Sequence, residues 1–263
     1  MSKLKAILIP TISVVVFLFL WEYSTIVFKV PEYLLPGPQA VAASAWTLYS
    51  TGAIFPHISM TLQAVLLGYL LGCFIALVIG SLVAEFDLLG RILMPFVVGF
   101  QSMPKVALAP LLLVWFGFDL TSKVILVGLI CFFPMFVNTV AGLRSANNDL
   151  VDLYRACSSS RLLIFWDIKL PGAANSIFAG LQIAMVMALL GAVVGEFVAS
   201  RRGLGYLIQS SGVNFDVPAM FTAVLTLSAL GITATFILRK LHSKVVYWEK
   251  TTSTRASSPN AQH

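Results

Sequence analysis

Long apolar segments recur along the whole chain and constrain its fold more strongly than any other feature. About 20 consecutive apolar residues, folded as a helix, cross the hydrocarbon core of a bilayer. Six segments fit this length: 6–27, 62–84, 92–118, 124–143, 177–199 and 218–238. The chain is 59% hydrophobic and only 11% charged, whereas soluble domains hold about 25% charged residues. The sequence therefore predicts an all-α membrane protein, a polytopic bundle of about six transmembrane helices.

Two of the six segments are unusual. Segment 92–118 is interrupted by prolines and contains Lys105, which predicts a broken span; the prolines are Pro95, Pro104 and Pro110. The first segment follows two lysines, as a signal peptide does, but Trp21-Glu22-Tyr23 occupies the place of a cleavage site. We therefore interpret 1–28 as an uncleaved transmembrane anchor, 29–61 as an external loop, 62–241 as a core of five spans, and 242–263 as a disordered tail.

The distribution of lysine and arginine predicts the orientation of the spans, because cytoplasmic loops carry the excess of these residues. With a cytoplasmic N-terminus, the inside segments hold Lys3, Lys5, Arg91, Arg144, Arg155, Arg161, Lys169, Arg239, Lys240, Lys244, Lys250 and Arg255. The outside segments hold only Lys29, Lys123, Arg201 and Arg202. We therefore expect both termini and the loop 144–175 to be cytoplasmic. This bias also explains the net charge of +6 without any nucleic-acid partner.

Signatures of catalysis are missing from the sequence. It contains no GxxxxGK[ST] phosphate-binding loop, no GxSxG, no HExxH and no paired-carboxylate motif. The cysteines are Cys73, Cys131 and Cys157, and they form no CxxC or Cys/His cluster. We therefore predict that the chain is not an enzyme, that it binds no metal or cofactor, and that it does not itself bind ATP through a phosphate-binding loop.

Small residues recur every four positions in two of the spans. The series are Gly68, Gly72, Ala76, Gly80 and Ala84 in the second span, and Gly180, Ala184, Ala188 and Ala192 in the fifth. Small side chains at this spacing let helix backbones approach closely in lipid. The pattern predicts a compact helical bundle and is compatible with a helix–helix seam between two subunits.

One mixed segment, DLYRACSSSRLLIFWDIKLP at 152–171, interrupts the apolar chain. At helical spacing, one face collects Leu150, Leu153, Tyr154, Cys157 and Ile164. This predicts a short amphipathic helix outside the membrane, ended by Pro171. Two interpretations are open at this point: a helix that lies on the lipid surface, or a docking element for a cytoplasmic partner.

The same segment resembles the cytoplasmic EAA loop of ABC importer permeases, which has the form E-A-A-x-x-x-G followed by L-P. Counted back from Leu170-Pro171, Asp152 stands at the Glu position, Leu153 and Tyr154 at the two Ala positions, and Ser158 at the Gly position. Four further stretches resemble the nitrate/sulfonate/taurine branch of this family: YLLPGPQAV, MPKVALAPLLLVWFGFDLTSKV, FFPMFVNTVAGLRS and GEFVASRRGLGYLI.

This resemblance implies a permease subunit of an ATP-driven importer in a bacterial cytoplasmic membrane. Two copies of the permease would form the pathway, two P-loop ATPase subunits would dock on the cytoplasmic loops, and an external binding protein would deliver the substrate. The coupling residues implied here are Asp152, Leu153, Tyr154, Ala156, Ser158, Arg161, Leu170 and Pro171. Members of the branch transport sulfonates, taurine, nitrate, aromatic carboxylates and vitamin precursors.

Ionisable residues inside spans are candidates for the translocation pathway, because their insertion into a membrane is costly. Lys105 and Glu196 lie within spans, and Gln101, Ser102 and Asn138 are further polar candidates. Lys105 either lends a positive charge to an anion pathway, with Glu196 as its partner or as a gate, or it extends to the membrane interface or satisfies carbonyls of a broken helix. The rival function, a stand-alone secondary transporter or channel, predicts inverted repeats with matched broken helices. Only one broken span is evident.

Overall fold

A computed structural model describes residues 3–247 of the chain. In this range the chain is helical throughout, without a β-strand, which agrees with the predicted all-α class. The helices are α1 (Lys3–Val27), α2 (Pro38–Ser50), α3 (Phe55–Glu85), α4 (Asp87–Ser102), α5 (Ala109–Phe116), α6 (Leu120–Arg144), α7 (Asn148–Ala156), α8 (Arg161–Ile164), α9 (Leu170–Ala199), α10 (Leu204–Val213) and α11 (Val217–Val245).

Four helical stretches in the described range are long and apolar enough to cross a membrane: α3, α6, the continuous helix Arg161–Val198, and α11. A bent pair of helices, α4 with the segment Lys105–Phe116, makes a fifth if it is counted as one span. Helix α1, Lys3–Val27, is 25 residues long and contains the first predicted segment. Beside α1, the described residues thus give four or five helical stretches that are long and apolar enough to be spans.

The third predicted span is broken at a proline. Helix α4 ends at Ser102, Pro104 precedes a 3₁₀ turn over Lys105–Leu108, and α5 then leaves at an angle of 85° to α4. Proline lacks an N–H and clashes with the preceding turn, so it disfavours continuation of the helix at this point. Pro95, in contrast, lies inside α4 without ending it.

The core of the bundle is formed by α3, α6 and α9, in which α6 packs extensively against both of the other helices, and α3 and α9 contact each other over a smaller area. Close approach depends on the predicted small residues. A Cβ on Gly72 would overlap the backbone carbonyl of Gly128, and one on Gly180 would lie 2.9 Å from the Cβ of Asn138. The small-residue pattern of the sequence is therefore explained by helix packing within one chain.

The Leu-Pro pair does not end a helix, contrary to the prediction. Instead, α8, a π-helical turn over Phe165–Lys169 and α9 form one continuous helix from Arg161. Because Pro171 has no N–H, the hydrogen-bonding pattern shifts, and the N–H of Leu170 donates to the carbonyl of Phe165 five residues earlier. The amphipathic helix predicted in this loop is α7, which ends at Ala156.

The predicted external loop contains helical structure. Helix α2 lies within it and packs against α11, where the Tyr49 hydroxyl and the Thr226 hydroxyl are 3.0 Å apart. Helix α3 already begins at Phe55. Residues 248–263 of the predicted tail lie outside the described residues.

Candidate functional site

The first candidate site is the loop around α7. Asn147 caps this helix, since its side-chain oxygen accepts hydrogen bonds from the N–H groups of Asp149 at 2.9 Å and Leu150 at 3.4 Å. Asparagine is among the preferred N-cap residues for this reason. The helix therefore has a defined start, which fixes the direction of the side chains that follow.

The predicted apolar face of this helix is only partly correct. The residue of α7 that packs inward is Val151, whereas Leu150 and Leu153 are exposed by 46% and 57%. Ile164 is buried but belongs to α8, because the chain turns at Cys157 and Ser158 and a single helix does not connect the two segments. The loop thus exposes two leucines. Exposed apolar side chains do not stabilise an isolated chain.

The polar coupling candidates of the loop are mostly exposed. Asp152 and Arg155 form an ion pair of 3.2 Å on the surface of α7, and Ala156 is the last residue of this helix. Ser158 has φ +58°, a left-handed conformation that glycine adopts at lower cost. This conformation explains physically why a glycine suits this position of the loop pattern.

The remaining coupling candidates lie where the loop joins the bundle. Arg161 is exposed and begins α8, which Ser160 caps by accepting a hydrogen bond of 3.3 Å from the N–H of Leu163. Leu170 and Pro171 are half-buried at the start of α9. All eight predicted coupling residues therefore belong to one loop at one end of the bundle.

An ion pair that sequence reasoning missed ties this loop to α3. Nζ of Lys169 donates a 2.6 Å hydrogen bond to Oε1 of Glu85, and both side chains are only about one-fifth exposed. A carboxylate at the C-terminal end of a helix is unfavourable on its own, so the lysine also offsets the helix dipole. Nearby, Nη2 of Arg144 donates to the carbonyl of Val83 at 3.2 Å, satisfying a group at the end of α3.

Lys105, the first pathway candidate, lies in the 3₁₀ turn of the broken span. Its ammonium donates to the Gln101 carbonyl at 3.1 Å and lies 4.5 Å from the centre of the Phe133 ring. This arrangement matches the structural alternative, in which the lysine satisfies a carbonyl of the broken helix. An ammonium has three N–H donors, and Lys105 uses one of them for this carbonyl. Its positive charge and the other donors are therefore still available to a passing anion.

Two of the other polar candidates, Gln101 and Ser102, lie at the same break, and the third, Asn138, lies on α6. Gln101 and Ser102 are exposed, and the Ser102 hydroxyl donates to the Val98 carbonyl at 3.1 Å. On α6, Nδ2 of Asn138 donates to the Pro134 carbonyl at 2.8 Å. These bonds are local, within one helical turn, so each side chain keeps further hydrogen-bonding capacity for another group.

Glu196 has a different environment from the one expected. It is completely buried, its Oε1 accepts a hydrogen bond of 2.7 Å from the Thr61 hydroxyl, and its Oε2 accepts one of 2.6 Å from the N–H of Gly205. Thr61 in turn accepts from the N–H of Leu204 at 2.8 Å. The carboxylate therefore lies at the N-terminus of α10, where the helix dipole favours a negative charge.

The cation that interacts with Glu196 is Lys123 rather than Lys105. Lys123 is 1% exposed, and its ammonium donates to the carbonyls of Phe118 at 3.1 Å and Asp119 at 3.3 Å. Within residues 3–247, no ion pair joins Glu196 to Lys105. The expected Lys105–Glu196 partnership is therefore not formed, and Glu196 instead connects α3, α9 and α10. Spacing in the sequence offered no signal for these contacts, because they join distant segments.

Residues 68–247 of the chain match the family described as "Binding-protein-dependent transport system inner membrane component". This range includes every predicted coupling and pathway residue.

Two curated relatives align over nearly the whole chain. The formylaminopyrimidine transport permease protein ThiX of Halalkalibacterium halodurans is 32% identical over 92% of this chain and 96% of its own. The riboflavin transport system permease protein RibX of Chloroflexus aurantiacus is 35% identical over 90% of this chain and 89% of its own. At lower identity, 27% over 93% of this chain and 87% of the relative, SsuC of Bacillus subtilis is assigned to aliphatic sulfonate transport.

Among solved structures, a chain of the methionine ABC transporter MetNI in an inward-facing conformation is similar to this fold. The TM-score is 0.64 at 18% sequence identity, and the alignment covers 74% of this chain and 94% of that chain. At this level of identity the likeness describes the fold alone.

Proposed function

The chain belongs to the family of binding-protein-dependent transport system inner membrane components and is the multi-pass permease subunit of an ATP-driven ABC importer, and we propose that its substrate is a small organic nutrient of the vitamin-precursor class. The observation that supports this substrate class is the 32–35% identity to permeases named for formylaminopyrimidine and riboflavin. Family membership also excludes the rival interpretation of a stand-alone transporter or channel.

A sulfonate or a related small anion is the second candidate substrate. The likeness to a relative assigned to aliphatic sulfonates, at 27% identity, favours it, and so does the ammonium of Lys105 at the broken span. An importer for such an anion needs positive charge along its path, since a bare anion is strongly disfavoured in the bilayer. Lys105, with Gln101, Ser102 and Asn138, would supply this charge and the neighbouring hydrogen bonds.

The loop around α7 is the proposed docking element for the ATPase subunits. Exposed Leu150 and Leu153 supply apolar contact area, and the Asp152–Arg155 pair and Arg161 supply charge beside it. The continuous helix from Arg161 to Val198 connects the second part of this loop to a membrane span. Movement of α7, when ATP draws two ATPase subunits together, would therefore be transmitted to α9 through the turn at Cys157 and Ser158 and along this helix.

Two permease copies would form the pathway and meet an external binding protein at the end of the bundle that holds Glu196. The chain buries its small-residue stripes within its own core, so the seam between copies must use other surfaces. The basic pair Arg201-Arg202 is exposed at this outer end and is available to the binding protein.

Docking is tested by purifying the permease in detergent from its native host and looking for a co-purifying P-loop ATPase. The charge reversals Asp152→Arg and Arg161→Glu, made together, should abolish co-purification. A matched pair at the other end of the bundle, Asp119→Arg with Arg201→Glu, should retain the ATPase. A wild-type chain that brings no ATPase would contradict the docking proposal.

Orientation is tested with a native cysteine. Cys157 is exposed in the loop, whereas Cys73 and Cys131 are buried in the core. A membrane-impermeant maleimide should label Cys157 in inverted membrane vesicles but not in intact spheroplasts, and Cys157→Ser should lose the label. The reverse pattern would place the loop outside and overturn the predicted cytoplasmic termini.

Substrate class is tested by ligand identification on the binding protein encoded beside the permease, followed by uptake into proteoliposomes. A heteroaromatic vitamin precursor is the expected ligand. If the ligand is an anion instead, Lys105→Met should reduce its uptake and Lys105→Arg should retain it. If Lys105→Met retains the wild-type rate of uptake and affinity for the anion, Lys105 is not part of the translocation pathway.

A further inference from the structure

An apolar groove of about 400 Å³ runs between the second half of α3 and the start of the α8–α9 helix. Its walls are almost entirely hydrocarbon, and they include Leu77, Val78, Leu82, Phe86, Phe165 and Trp166. Several of these side chains remain largely exposed; Val78 is 44% exposed, and Trp166 is 58% exposed although its ring packs edge-on against Phe165. The groove therefore offers one hydrocarbon chain a lined path along the side of a membrane span.

A polar cavity of about 520 Å³ adjoins this groove where α3 ends. Glu85, Phe86 and Arg161 line both spaces, so the two lie side by side. Four further residues with polar side chains line only the second cavity: Asp87, Arg155, Ser159 and Lys169. Together they form one groove that is apolar at one end and charged at the other.

Most of the charges in the polar cavity are already compensated. Lys169 is paired with Glu85, and Arg155 is paired with Asp152. Within residues 3–247, the side chains of Arg161 and Asp87 form no hydrogen bond and no ion pair. The cavity thus presents one uncompensated positive group and one uncompensated negative group to whatever fills it.

The groove crosses the level at which the bilayer ends. Helix α3 is apolar along its length and terminates at the charged Glu85, and the exposed Trp166 indole lies beside it. Tryptophan is enriched at membrane–water interfaces. Basic pockets between spans hold the headgroups of anionic lipids, whereas this cavity is lined by carboxylates as well as basic groups and therefore suits a headgroup that carries both charges. The apolar part of the groove is therefore at acyl-chain depth, and the polar part is at headgroup depth.

We propose that this groove is a phospholipid site specific for an ethanolamine headgroup. An acyl chain lies along α3 between Val78 and Trp166, the phosphate binds the guanidinium of Arg161, and the primary ammonium of the headgroup binds the carboxylate of Asp87. Arginine matches phosphate with two parallel donors. The lipid contacts both the end of α3 and the loop that joins α7 to α9, so it stiffens the connection between them.

The proposal does not depend on the substrate or on the ATPase. Arg161 is also a proposed ATPase contact, so the lipid is measured on the full-length permease purified without its partners. Native mass spectrometry then compares phosphatidylethanolamine, phosphatidylcholine and phosphatidylglycerol with identical acyl chains. Phosphatidylethanolamine should bind about tenfold more tightly than the other two, because each charge-assisted hydrogen bond contributes about a factor of ten or more.

Substitutions in the polar cavity separate the two headgroup contacts. Arg161→Gln should weaken all three lipids about tenfold, and Arg161→Lys should restore most of this loss. Asp87→Asn should weaken only phosphatidylethanolamine, since phosphatidylcholine has no N–H to donate and phosphatidylglycerol has no ammonium. Loss of every lipid in Asp87→Asn, or a preference for phosphatidylglycerol in the wild type, would overturn the headgroup assignment.

The acyl-chain contact has a matched control on the same helix. Val78→Trp fills the proposed groove and should displace the lipid. Ile75→Trp fills a separate apolar cavity of about 410 Å³ between α3 and α6 and should leave lipid retention unchanged. Equal retention of the three lipids by the wild type, unaffected by any of these substitutions, would mean that the groove holds only ordinary annular lipid and that the proposal is wrong.

Discussion

The hydroxyl of Thr61 donates a 2.7 Å hydrogen bond to the carboxylate of Glu196, although 135 residues separate the two positions. The bond joins the start of α3 to the end of α9, and the other carboxylate oxygen holds the first turn of α10 through the N–H of Gly205. A buried carboxylate is tolerated only when its lone pairs are satisfied. These contacts make Glu196 an organising residue of this end of the permease.

Gly203 should be intolerant of any side chain, for two separable reasons. Its φ of +126° with ψ of 156° is a region that essentially only glycine occupies, at a cost of about 1–3 kcal/mol for other residues. In addition, a Cβ there would overlap the Glu196 carboxylate. Gly203→Ala should therefore lower Tm in detergent, as measured by thermal unfolding.

A control at Gly117 distinguishes these two reasons. Gly117 has φ +80° and ψ −178°, and a Cβ there would meet nothing within 4 Å. Gly117→Ala should therefore lower the free energy of unfolding less than Gly203→Ala does. In a Glu196→Ala background, the difference between the two alanine variants should shrink by about 1 kcal/mol or more. If this difference is the same with and without Glu196, the carboxylate does not constrain Gly203.

Gly72 should be the most sensitive position of the core seam between α3 and α6. Because a Cβ would overlap the carbonyl of Gly128, Gly72→Ala must separate two helix backbones, and overpacking of this kind costs about 1–3 kcal/mol. Gly99→Ala in α4 is the control, since a Cβ there meets nothing and alanine favours a helix. Tm in detergent should fall for the first and be unchanged or higher for the second.

Ser158→Gly should stabilise the loop. Serine at φ +58° costs about 1–2 kcal/mol relative to a right-handed conformation, and glycine avoids this cost. Part of the gained stability is offset, because glycine has greater conformational freedom in the unfolded chain. We expect slower cleavage of the loop by a soluble protease in Ser158→Gly and faster cleavage in Ser158→Val. If both variants are cleaved like the wild type, the left-handed turn is not important for the loop.

Lys169 and Glu85 should behave as a pair. Removing either partner leaves a mostly buried charge uncompensated, which we expect to cost about 1–3 kcal/mol because both side chains retain about one-fifth of their exposure. The swap Glu85→Lys with Lys169→Glu should recover much of this loss, because it also places a cation at the C-terminal end of α3.

The functional readout for this pair is the substrate-stimulated ATPase rate of the reconstituted importer. Each single variant should reduce stimulation, since the pair connects the proposed docking loop to α3, and the swap should restore it in part. Additive losses in the double variant Glu85→Ala with Lys169→Ala would show that the two side chains act independently.

Much of the architecture could be predicted from the sequence, because hydropathy and small-residue spacing are local patterns. The apolar core spans, the break near Pro104 and the close approach at Gly72 all follow from residues within about one helix. The coupling loop was identified by its resemblance to a known family. The end of its helix was predicted wrongly: α7 ends at Ala156, before the left-handed Ser158, and Pro171 lies in the following helix, whose hydrogen bonding it shifts without ending it.

The sequence by itself determined that the chain is an all-α membrane protein and identified the loop that resembles an ATPase-docking element, since composition and periodicity are readable without a fold. Only the tertiary structure decided that Glu196 binds Thr61 and that Lys169 binds Glu85 across 84 residues. Periodicity shows which face of a helix is apolar, but not which helix lies opposite. Charged side chains in a low-dielectric interior take the partners that helix packing brings within hydrogen-bond distance.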